Sequence, residues 1–90
     1  MTLFCVARII IEYSDGYEKR IFQDAKGRPK ANKEGVYSIR LKLNENGYPT
    51  SLFNYDKKGK LVEDENGVAK YIWTLDEKGR RIKSIRVNKE

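Results

Sequence analysis

The 90-residue sequence contains no histidine and a single cysteine. Histidine is the side chain that most often transfers protons near neutral pH, so acid–base catalysis would fall to carboxylates or lysines. The one cysteine, Cys5, permits neither an internal disulfide nor a zinc cluster. It lies between Phe4 and Val6, where a buried, inert thiol is expected. These absences argue against an enzyme and against a domain stabilised by disulfides or metal.

Long apolar runs are missing as well. The run Leu3–Ala7 is ended by Arg8 and is far shorter than the ~20 residues of a membrane-spanning helix. It has no basic leader and no small-residue cleavage site, so it does not read as a signal peptide. We expect no membrane insertion. The compartment is left open: surface or secreted if the chain is excised from a longer repeat protein, cytoplasmic otherwise.

A four-residue motif, Asp or Asn followed by two residues and then Gly, punctuates the chain. It occurs six times, at 24–27, 32–35, 44–47, 56–59, 64–67 and 76–79. The first side chain can accept a backbone hydrogen bond that starts a type I turn, and the glycine readily takes a positive φ. The motif predicts hairpin turns, and six of them leave no room for helices of ordinary length. Neither Asn44–Gly47 nor Asp64–Gly67 is followed by the glutamate of a calcium loop, so we expect no metal site and no cofactor.

The six motifs repeat with a period of 32 residues. Residues 23–54 align with 55–86 without a gap, and eight of the 32 aligned pairs are identical, including the three glycine pairs. We therefore expect a single β-repeat domain over 1–90, with an N-terminal hairpin at 2–22 and two repeats. The chain ends in Asn88-Lys89-Glu90, the first three letters of the motif, which suggests an array that continues in a parent protein.

Residues alternate between apolar and polar in the segments between turns, as in half-buried strands. Val36–Leu43 and Val68–Leu75 each place one apolar face opposite a more polar one, and Leu3–Tyr13 reads as a long strand that Ser14-Asp15-Gly16 turns into Tyr17–Phe22. The segments 28–31 and 60–63 read as short strands or connectors, and 80–87 as a last strand with a bulge between Ile82 and Ile85. The prediction is an all-β antiparallel meander of roughly six to eight strands, as a strongly twisted sheet or open barrel. A flat single layer is the alternative.

The stretch Tyr55-Asp56-Lys57-Lys58-Gly59-Lys60-Leu61, with Gly67, Tyr71 and 76–80, resembles the tyrosine–aspartate repeats of RHS-type proteins. It is also similar to motifs of small secreted β-repeat proteins of gut Bacteroidetes. In that family such repeats build β-sheet shells and surface scaffolds, while the chemistry resides in other domains. The resemblance implies a structural or binding role without catalytic residues.

Basic residues and aromatics near the C-terminus form the one candidate binding cluster. The net charge is +6, and residues 25–33 and 78–89 contain no acid. Stacked aromatics among cations on a sheet are typical of single-stranded nucleic-acid binding. The candidate binding residues are Tyr71, Trp73, Arg80, Arg81, Lys83 and Arg86. Two other interpretations stand beside this one: Tyr71 and Trp73 align with Ile39 and Leu41 and so belong to the core, with the cations protecting a sheet edge, or the cations form a basic face that binds protein.

The sequence favours a non-catalytic β-repeat module that acts as a structural scaffold or protein-binding surface. Its expected partners are another protein, neighbouring repeats or a second copy joined through strand edges. A small basic nucleic-acid-binding protein and a stand-alone inhibitor of a host protein are the alternatives.

Overall fold

Six antiparallel strands form one open sheet in the computed structural model, which describes residues 7–32 and 35–89. The strands are β1 (Arg8–Ser14), β2 (Tyr17–Gln23), β3 (Ser38–Leu43), β4 (Pro49–Tyr55), β5 (Lys70–Leu75) and β6 (Arg81–Val87). Each strand pairs only with its neighbours in sequence, so β1 and β6 are the two edges and the sheet is not closed into a barrel. The all-β meander is thus confirmed, with six strands. Cys5 and the start of the long first strand lie outside the described residues.

The six motifs adopt one turn geometry. In each, the glycine N–H donates to the carbonyl of the first residue over 2.9–3.1 Å, and every motif glycine has a φ between +75° and +85°. The side-chain Oδ1 of the first residue also accepts the backbone N–H four residues later, as Lys60 donates to Asp56 over 2.9 Å. This is a type I turn closed by a glycine in the left-handed region, as the motif predicts.

The hairpins differ in how they close. Asp15 and Gly16, both with positive φ, form a two-residue loop between β1 and β2 that twists with the strands. In the last hairpin Leu75 pairs with Arg81 and Thr74 with Lys83, so Ile82 is an extra residue in β6. The predicted bulge in the last strand therefore exists, with Ile82 as its inserted residue.

Two long connections, residues 24–37 and 56–69, join β2 to β3 and β4 to β5. Each connection contains two of the turns. Between its two turns, each makes one isolated β-bridge to a strand, through Pro29 in the first connection and through Leu61 in the second. Residues 28–31 and 60–63, which the sequence predicts to be either short strands or connectors, are therefore connectors. Their buried ends supply much of the core, since Val36 is 0% exposed and Val68 and Ala69 are nearly so.

The apolar core is small, and its strand residues share one face of the sheet. Phe22, Leu41 and Trp73 are its large buried side chains, whereas Ile39, which shares the face of Leu41, is half-buried. The opposite face is organised by cation–aromatic contacts: the Arg40 guanidinium lies 5.3 Å from the Tyr17 ring centroid and 5.6 Å from that of Tyr55. The described residues include no helix long and apolar enough to cross a bilayer.

Gly79 marks a contact between two turns at one end of the sheet. A Cβ atom built on Gly79 would lie 2.7–2.8 Å from carbons of the Tyr48 ring, so the absence of a side chain lets that ring lie against the turn. Gly59 has nearly the same backbone conformation, but no atom lies within 4 Å of its Cβ position. Substitution of the two glycines therefore distinguishes the cost of backbone strain, which both positions share, from the cost of a steric clash, which only Gly79 has.

We predict that Gly79→Ala destabilises the fold more than Gly59→Ala. Both alanines would adopt a left-handed conformation at a cost of about 1–2 kcal/mol, but only the alanine at 79 also meets a ring, which adds about 1–3 kcal/mol of overpacking. Urea unfolding followed by the fluorescence of Trp73, the single tryptophan, measures both changes. Combining Gly79→Ala with Tyr48→Ala should remove the excess. Equal losses in the two glycine variants would contradict the turn contact.

Candidate binding surface on strands β5 and β6

The candidate surface begins with two aromatic residues of β5. Tyr71 and Trp73 are two residues apart on one strand, so their side chains share a face of the sheet. Their ring centroids lie 6.3 Å apart with the planes inclined by 19°, a stacked arrangement. Trp73 is 9% exposed, while Tyr71 is half-buried. The tryptophan is therefore part of the core, as the alignment with Leu41 predicts.

Cations from β6 cover this aromatic pair. The Arg81 guanidinium carbon lies 3.7 Å from the centroid of the Trp73 ring. Ser84 pairs with Trp73 across the strands, and Arg86 pairs with Tyr71. Four residues of the predicted set line a shallow depression of about 350 Å³ here, and two further residues complete its lining. The six lining residues are Leu52, Tyr71, Trp73, Arg81, Ser84 and Arg86.

Two of the predicted residues lie elsewhere. Arg80 belongs to the turn before β6, where its Nε donates to Asp76 Oδ2 over 2.7 Å. Lys83 pairs with Thr74, and this pair is adjacent to the Trp73–Ser84 pair. Because neighbouring residues of a strand alternate between faces, the Lys83 side chain lies on the opposite face of the sheet. The structure thus brings Tyr71, Trp73, Arg81 and Arg86 together. That this cluster binds a partner stays a prediction.

Leu52 and Ser84 line the depression although the sequence does not single them out. Ser84 lies two residues before Arg86, so alternation along β6 could have found it. Leu52 is opposite Tyr71 in the sheet but far from it in sequence. No local signal identifies Leu52, because its place depends on the register between β4 and β5.

Asp64 ties the connector to the aromatic pair. Its Oδ2 accepts a hydrogen bond of 2.6 Å from the Tyr71 hydroxyl, while Oδ1 accepts the backbone N–H groups of Asn66 and Val68. Asp64 is only 7% exposed. Burial by itself raises the pKa of Asp64, but the hydrogen bonds, led by that from Tyr71, outweigh burial and lower it.

This geometry supports packing more than chemistry. The Arg81 guanidinium covers one face of the Trp73 ring, and Trp73 is 9% exposed, so the tryptophan is not presented as an open stacking platform. The hydroxyl of half-buried Tyr71 donates to Asp64. The lining residues carry two guanidinium groups and no carboxylate. Within the described part of the chain, the depression therefore offers positive charge beside an already covered apolar surface.

We predict that Asp64→Asn lowers the free energy of unfolding at pH 7 by about 1–3 kcal/mol, the range for loss of a hydrogen bond to a charged group. Asparagine preserves the turn, as Asn32 and Asn44 show, but its amide nitrogen cannot accept the Tyr71 hydroxyl. Asp56→Asn is the matched control, because Asp56 starts the same turn and its side chain accepts hydrogen bonds from the backbone N–H groups of Lys58 and Lys60. Similar losses in the two variants would contradict the role of the Asp64–Tyr71 bond.

The contribution of Asp64 should also depend on pH. Its pKa is lower in the folded state than the unfolded value of about 3.9, so its stabilisation is complete above that value. It is lost as the pH falls through the folded-state pKa. Urea unfolding at pH 7 and at pH 3 should therefore show a smaller difference between the wild type and Asp64→Asn in acid. A difference that grows in acid would contradict the direction of the pKa change.

Comparison of this chain with protein-family models, with curated proteins and with solved structures found no match. The resemblance to tyrosine–aspartate repeats therefore stays a prediction from the sequence motif.

Proposed function

We propose that this chain is a non-catalytic β-sheet module that acts as a structural scaffold or protein-binding surface, with its sheet edges as the points of attachment. One observation supports the proposal above others: within residues 7–32 and 35–89, no strand pairs with the outer side of β1 or of β6. All seven residues of β1 and six of the seven in β6 are exposed. An open edge offers unpaired backbone donors and acceptors to a further strand.

The connectivity suits a module that extends along one direction. Every strand contacts only its neighbours in sequence, and the connectors 24–37 and 56–69 use the same pair of turns. In repeat proteins of this kind, the stability of the array approximates a sum of repeat and interface contributions. An additional repeat should therefore fold onto β6 and lengthen the sheet.

The experiment is to lengthen the chain by one repeat. A glycine added after Glu90 completes the seventh turn motif, and a second copy of residues 60–86 follows it. We expect cooperative unfolding with a higher free energy of unfolding and a urea m-value raised by roughly a third, since the m-value scales with the surface exposed on unfolding. Backbone amides at the outer edge of β6 should become protected from hydrogen exchange.

A control extension contains the same added residues in shuffled order. It should leave both the m-value and the β6 amides unchanged. If the repeat extension behaves like the shuffled one, β6 does not accept a neighbouring repeat, and the scaffold proposal loses its support.

A basic nucleic-acid-binding protein is the second candidate, because β6 carries Arg81, Lys83 and Arg86 on an exposed strand without an acid. This candidate predicts binding to a single-stranded oligonucleotide that weakens steeply with added salt. Arg86→Glu should weaken the binding more than Lys83→Glu, an equal change of charge on the opposite face. Absence of binding in a low-salt titration would remove this candidate.

A further inference from the structure

β1 is an unusual edge strand, since it exposes three consecutive isoleucines. Ile9 is 52% exposed, Ile10 36% and Ile11 48%. Natural sheets protect their edges with charge, proline or bulges, and β6 follows that rule with its arginines and lysine. Its counterpart β1 does not. No strand among residues 7–32 and 35–89 pairs with the outer edge of β1.

The backbone groups that face this free edge follow from the hairpin. Ser14 and Tyr17 flank a two-residue loop and so exchange both of their backbone hydrogen bonds. The exchange recurs at every second residue of β1, which turns the N–H and C=O groups of Ile9, Ile11 and Tyr13 outwards. The Phe22 N–H, which donates to Tyr37 over 3.1 Å on the far side of β2, agrees with this alternation.

The outer edge of β1 is complementary to itself. When two β1 strands lie antiparallel with Ile10 opposite Ile10, the outward backbone groups of Ile9 meet those of Ile11, and Arg8 stands opposite Glu12 on the same face as Ile10. Two Ile9–Ile11 pairs and two pairs of opposite charge then form around one two-fold axis. Centring the pair on Ile11 would instead set Glu12 against Ile10 and leave both charges without a partner.

We propose that two copies of this chain associate through β1 in this register and form a continuous twelve-stranded sheet. The proposal deepens the function proposed above, in which the sheet edges are the points of attachment. Charge favours this edge over the other, because two β6 strands side by side would bring arginines and lysines together. This repulsion between two β6 strands also keeps the assembly at two copies, while leaving β6 available to a strand of different charge.

A charge exchange tests the register. Sedimentation across about 1 μM to 1 mM, the range of weak to moderate affinities, should show a concentration-dependent dimer. Arg8→Glu and Glu12→Arg each turn both charge pairs from attractive to repulsive and should weaken association about tenfold at low salt. The double exchange should restore it. Lys83→Glu, on the other edge, is the matched control and should leave association unchanged.

Hydrogen exchange provides a second measurement. The amides of Ile9 and Ile11 should become protected as the protein concentration rises, whereas those of Ile10 and Glu12 already bond to β2 and should not change. A monomer at every concentration overturns the proposal, and so does a dimer that the double exchange does not restore. Neither result affects the repeat-extension experiment, which tests the β6 edge independently.

Discussion

The hydrogen bond on which this structure depends runs from a backbone N–H to a side-chain oxygen four residues earlier. An Asp or Asn oxygen at the start of each motif accepts it, and a glycine with positive φ allows the chain to close around it. Two such turns lie eight residues apart in each connector, and the side chain that starts the second turn accepts the N–H of a buried valine, Val36 or Val68. Local polar contacts therefore position part of the apolar core.

A core made in this way covers only part of the sheet. The buried side chains belong to the four inner strands and to the ends of the connectors, while the strands at the two edges are exposed to solvent. The edges differ in chemistry: β6 is basic, and β1 presents isoleucines between one arginine and one glutamate. The proposed role as a module that attaches to other sheets rests on this difference between the two edges.

The two connectors contain the same pair of turns, but the contacts around them differ. Asp64 accepts the Tyr71 hydroxyl in the second half, whereas the equivalent residues of the first half, Asn32 and Ile39, cannot make that bond. Trp73, covered by Arg81, replaces the smaller Leu41. The second half thus has a charged hydrogen bond and a cation–π contact beside an otherwise exposed edge, where apolar burial contributes least.

The sequence by itself determined the turns, the strands and their order, because each turn depends on residues within five positions and each strand on alternation between turns. It also indicated the bulge in β6 and the place of Trp73 in the core. Only the tertiary structure decided which side chains meet across strands. The inserted Ile82 sets Ser84 and Arg86 beside the aromatics and sends Lys83 to the other face, and the register between β4 and β5 places Leu52 opposite Tyr71. Cross-strand neighbours depend on register, and one extra residue changes the face of every side chain that follows it.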